Sequence, residues 1–166
     1  MKNVATISGM SADALRGAIF FLTALFFVSS ADAPAQAITV NGGNLSMTIT
    51  AGVAGGEPTP VTNTVVTIDF RRQTAISKIT VQTSCPGQKF NLNVVATTSE
   101  VGSPAASVNL VNGMLATDFI TSIPVKPPNK AFTATVQYTA SSTFSQGNST
   151  ELGNDIHTVT YTLVAQ

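Results

Sequence analysis

Cys85 and His157 are each the sole residue of their type in a chain of 166 residues. With the scattered carboxylates they make up its reactive inventory. A cysteine nucleophile requires an imidazole within hydrogen-bond reach and a third group to orient it. Cys85 lies between Ser84 and the pair Pro86 and Gly87, which is turn composition rather than a nucleophile motif. A zinc site takes three or four Cys, His or carboxylate ligands, and one histidine with one cysteine does not supply that set. Segment 148–155 gathers Asn148, Glu151, Asn154 and Asp155 around Gly153. Calcium accepts such oxygens, but the spacing is not that of an EF-hand loop, and a solvated turn is the plainer reading. No G-x-S-x-G, P-loop or dinucleotide fingerprint occurs. The sequence therefore assigns no catalytic, cofactor-binding or metal-binding residue. Cys85 is expected to be a small buried hydrophobe, with an intermolecular disulfide or a modification as the alternative. His157 is expected at the rim or core with a satisfied hydrogen bond. Sugar binding relies on exposed aromatic faces; the chain has no Trp, and Phe144 in a polar loop is the one candidate platform.

The elements that hold these residues read as strands. Leu45, Met47 and Ile49 alternate with Ser46, Thr48 and Thr50, and a Gly/Pro loop follows to Pro60. The same period-two pattern places Val66, Ile68 and Phe70 on one face, then Ile79 and Val81, then Phe90, Leu92 and Val94. Val108 and Leu110 precede Asn112 and Gly113, a dipeptide that predicts a tight hairpin with positive φ at both turn positions. Residues 124–129 hold three prolines and must be a loop. Phe132, Ala134, Val136 and Tyr138 form the clearest strand, residues 141–155 a polar loop, and Val159, Tyr161 and Leu163 alternate with threonines in the last strand. Seven or eight strands with turn signals between them, and no helical periodicity, predict an all-β fold: an immunoglobulin-like antiparallel β-sandwich. A closed barrel is the alternative; the proline-containing connections favour the sandwich. Phe70, Phe90, Phe132, Tyr138 and Tyr161 fall at core parity, and Phe119 is expected to join them.

Residues 1–37 precede this domain and read as a cleavable secretory signal. Lys2 and Arg16 lead into an apolar run over 17–28, and the segment ends in small residues up to Ala37. The run is short for a membrane span, which needs about 20 apolar residues. Cleavage after Ala37 or after Ala33 fits; Ala37 is favoured because Ile38 opens a new alternation. The product, residues 38–166, is expected as a single domain that is secreted, periplasmic or on the cell surface. Its basic and acidic residues balance without a basic stripe, so no nucleic acid is expected as a partner. With one cysteine it has no internal disulfide, and its core alone must hold it.

A signal peptide, short Thr/Val strands, a polar loop with Gly153 and the closing run from His157 to Val164 resemble secreted immunoglobulin-like subunits of the pilin and spore-coat-U type. Such subunits usually carry a cysteine pair, and Cys85 is single here. No functional residue carries over from the resemblance, and the neutral, Thr-rich sandwich without a catalytic set is what leads to the first expectation, a non-catalytic structural or adhesive surface protein. If it self-assembles, or joins another surface protein, an edge would be completed by β-strand addition, with 38–49 as donor and 156–164 as candidate edge. A monomeric binding module for glycan, peptide or calcium at the sandwich-end loops is the second expectation. A hydrolase is the third, and it needs His157, Cys85 and a carboxylate brought together.

Overall fold

Alternation becomes a ladder where a Thr-rich face can meet water and the opposite face can be covered. In the computed structural model, which describes residues 37–50, 56–71, 75–125, 130–147 and 152–166, this happens in nine strands. They are β1 (Ala37–Asn41), β2 (Val61–Arg71), β3 (Ser77–Ser84), β4 (Asn91–Ser99), β5 (Ser103–Pro104), β6 (Val108–Asn109), β7 (Thr117–Ile123), β8 (Ala131–Ser141) and β9 (Thr158–Ala165). Seven of them are longer than two residues, as the sequence count leads one to expect. One sheet runs β1-β2-β8-β4-β6, the other β5-β7-β3-β9, and every pairing is antiparallel. The fold is an antiparallel β-sandwich. All described residues fall within the compact unit Ala33–Gln166. The expected leader lies outside the described residues up to position 36, as do most of the proline loop and residues 148–151. No helix among the described residues is long and apolar enough to cross a membrane.

The core forms where inward faces meet. Val66, Ile68 and Phe70 of β2 face Phe132, Ala134 and Val136 of β8, all buried, with Phe70 and Phe132 rings 6.0 Å apart. From the other sheet come Ile79 and Val81 of β3, Phe119 and Ile120 of β7 and Tyr161 of β9. Phe119 stacks at a tilt on Tyr161, 5.3 Å between centroids. All six aromatic residues expected inside are buried, while Phe144 is 74% exposed. Tyr138 of β8 and Tyr161 of β9 join their hydroxyls at 2.7 Å, which ties one sheet to the other. Burial pushes both phenol pKa values up.

Two expectations need correcting. The segment 45–50 alternates in burial but is not a strand of either sheet: Ile49 is buried, and Leu45 and Met47 pack on the core. Asn112 and Gly113 do turn the chain, closed by Met114 N–H to Val111 O at 3.0 Å, but only Gly113 has positive φ. The turn is not a hairpin. The strand before it pairs with β4 in one sheet and the strand after it with β3 in the other, so the chain crosses between layers here.

Candidate functional site

β3 and β9 pair so that Thr83 faces Val159 and Ser84 faces Thr158. Carrying that register one residue further sets Cys85 opposite His157. The parity that turns Ile79, Val81 and Thr83 inward also takes in Cys85, which is 1% exposed. Pro86 and Gly87 then reverse the chain, with Gly87 at φ 75° and Gln88 N–H bonded to Cys85 O at 3.1 Å. Proline first and a positive-φ glycine second is the signature of a type II turn. Asn112 holds the turn from outside by accepting the Cys85 N–H at 2.8 Å. Gln88 spans the same gap, donating to Leu110 O and accepting from Asn112 N–H.

The turn returns the chain toward the approach to β9. Asp155 Oδ2 accepts the backbone N–H of Lys89 and of Phe90, each at 2.8 Å, and Lys89 Nζ donates to Leu152 O. The loop expected as a solvated turn is thus pinned by a carboxylate, and of the oxygens considered for calcium Asp155 has this structural grip. Asn148 and Glu151 lie outside the described residues.

These connections converge. One ligand atom each from Cys85, Asp155 and His157 lie within 4.8 Å of one another. Cys85 is buried; Asp155 and His157 are half-buried. The Ile156 N–H bonds toward the Cys85 sulfur. His157 Nδ1 lies 3.2 Å from Thr83 Oγ1, whose hydroxyl proton points to Thr158 O at 3.4 Å. With that proton committed, we assign the Nδ1–H tautomer to His157, which leaves the lone pair on Nε2. Burial lowers the imidazole pKa from its ordinary value, partly offset by the Asp155 carboxylate. Burial, and next the same carboxylate, push the Cys85 thiol up, against the Ile156 N–H. The resting pair is therefore a neutral thiol beside a neutral imidazole. The arrangement a hydrolase needs is present in outline, but its thiol is held away from the thiolate that attack requires.

Beside the cluster an open groove of about 670 Å³ runs along β9. Its lining includes Asp155, His157 and Val159, Leu45, Met47 and Ile49, and the core residues Leu92 and Tyr138. β9 is the outer strand of its sheet and β1 that of the other, so the groove lies where both sheets end. The sequence names His157, Cys85 and a carboxylate as the set a hydrolase would need, and the structure brings the three together with Asp155 as the carboxylate. A signal for the pairing of Cys85 with His157 was available in the shared inward parity of the two strands. Asp155 was legible only as a loop acid. No protein-family model matches the chain, and no curated protein or solved structure matches it significantly.

Proposed function

We propose that the chain is an exported, non-catalytic structural or adhesive surface protein, secreted, periplasmic or displayed on the cell. Copies of it join one another, or another surface protein, by adding a strand at β9. The observation that carries this reading is the place of β9 at the outer end of its sheet, beside the groove that it lines with segment 45–49. An unpaired edge offers a row of backbone donors and acceptors to an incoming extended segment, and alternate side chains of that segment can enter apolar recesses. Proteins that must avoid this guard their edges with lysine, proline or a bulge; β9 has neither lysine nor proline and keeps unbroken register against β3. Its outward residues Thr158, Thr160 and Thr162 are exposed. The balanced charge adds no repulsion between copies.

The test uses chain 38–166 with Thr158, Thr160 and Thr162 all changed to lysine, and separately the chain lacking 38–44, which removes β1 from its own sheet and counts only where circular dichroism shows the rest of the fold kept. The side chains replaced by lysine face water, so the fold is kept, which circular dichroism checks. Native mass as a function of concentration reads assembly. Polymers of the parent chain that the lysine variant and the deletion both lose are expected. An assembly unaffected by either change, or a parent chain that stays monomeric alone and with its cell-surface fraction, overturns the reading.

A further inference from the structure

We infer that Cys85, Asp155 and His157 form a binding site for a divalent metal ion of borderline softness, zinc foremost, with a fourth position facing the groove. The three donor types are those zinc takes: thiolate, imidazole and carboxylate. A tetrahedral ion with bonds of about 2.0–2.3 Å sets its donors about 3.3–3.8 Å apart. The three groups already lie within 4.8 Å of one another, so shifts on the order of 1 Å close the set. Cysteine in place of a further oxygen argues against calcium and magnesium, which take oxygen ligands.

The surroundings are built for the task as well as the donors. A ligating histidine ordinarily gives its second ring N–H to a fixed acceptor, and with Nε2 as the ligand Thr83 Oγ1, 3.2 Å from Nδ1, takes that place. The carboxylate of Asp155 is oriented by two backbone N–H groups on Oδ2, which leaves the lone pairs of Oδ1 for another partner. The Cys85 sulfur receives the Ile156 N–H, a contact that favours a bound thiolate. When the ion binds, the sulfur–hydrogen bond breaks, a sulfur–metal bond forms and the proton leaves to solvent. Asp155 and His157 line the groove, which gives the ion its way in and leaves room for water or a side chain from a bound segment. All three donors come from this chain, so the site does not rest on strand addition at β9.

Chain 38–166 is titrated with cobalt(II) as a spectroscopic probe and with zinc against a chromophoric chelator. Cys85→Ser, His157→Gln and Thr83→Val are run beside it, each checked for fold by circular dichroism. Thr83→Val removes the hydroxyl behind the imidazole at nearly constant shape. The parent is expected to show a thiolate-to-cobalt charge-transfer band that saturates at a single ion per chain. Cys85→Ser loses the band, His157→Gln weakens zinc binding most, and Thr83→Val weakens it about 10–100-fold. A parent without the band, or equal zinc affinity in all four chains, overturns the site.

Discussion

The hydroxyl pair of Tyr138 and Tyr161 is a direct measure of how firmly the two sheets are joined at the groove. Each ring is 7% exposed, and the oxygens are 2.7 Å apart. Tyr161→Phe removes one oxygen and leaves the Tyr138 hydroxyl without this partner in an apolar wall. A buried group stripped of its partner costs about 1–3 kcal/mol, whereas removing both polar groups can be nearly neutral. Tyr138→Phe and Tyr161→Phe are thus each expected to destabilise by about 1–3 kcal/mol, and the double variant by less than the sum. The assay is urea unfolding of chain 38–166. With a slope of about 2 kcal/mol/M, a loss of about 2 kcal/mol lowers the midpoint by about 1 M. Burial pushes both phenols above the ordinary value of 10.0, so the coupling should be unchanged from about pH 6 to about pH 9. A double variant that loses the full sum of the single effects would refute the reasoning, because two independent hydroxyls would then be bonded elsewhere.

Asp69 receives the Thr133 hydroxyl at 2.7 Å and the Asn41 amide at 2.8 Å, and these bonds, Thr133 foremost, lower its pKa from 3.8. The stability it adds is complete above that value and is lost as pH falls through the lower folded value. The difference in urea midpoint between the parent and Asp69→Asn should be constant near neutrality and shrink below pH 3.8; a constant difference down to unfolding contradicts it. Gly102 sits at φ 81°, and an added Cβ would lie 2.7 Å from Thr121 O and 2.9 Å from Ile120 Cγ2. Gly102→Ala should cost about 2–4 kcal/mol, against about 1 kcal/mol for Gly113→Ala, which shares the positive φ but meets no atom within 4 Å. Equal melting temperatures for the two would show that the close approach at Gly102 is not felt.

The long strands were legible because one face of each had to be buried. Phe132 to Tyr138 reads as a strand since a period of two is what such burial writes into a sequence. Leu45 to Ile49 carries the same period and is not a strand of either sheet, because alternation reports which side chains are covered and is silent on which backbone they pair with. The two-residue strands β5 and β6 are too short to leave a pattern. Asn112 and Gly113 misled for a related reason: their local chemistry specifies a turn, while the destination of the next strand is set by the core. The candidate site was named in the sequence only as a requirement, and its assembly was hidden for a third reason. Thr83 and His157 are 74 positions apart, and only the register of β3 on β9 brings Cys85 and His157 into line. The role of Asp155 depends on two backbone donors at Lys89 and Phe90, and backbone donors have no sequence signature.

Cys85, sealed at 1% exposure, has a consequence for how the domain can be observed. A thiol reagent in solution reaches the sulfur when the Pro86–Gly87 turn or the start of β9 swings aside. The labelling rate is then the intrinsic rate multiplied by the fraction of time spent ajar, with every 1.4 kcal/mol of opening free energy slowing it about tenfold. The chain thus holds a single-site recorder of breathing at one end of β9, needing no engineered probe. It also sets a condition on cross-linking between copies: a disulfide through this sulfur has to wait for the same excursion, so it can follow assembly but is poorly placed to begin it.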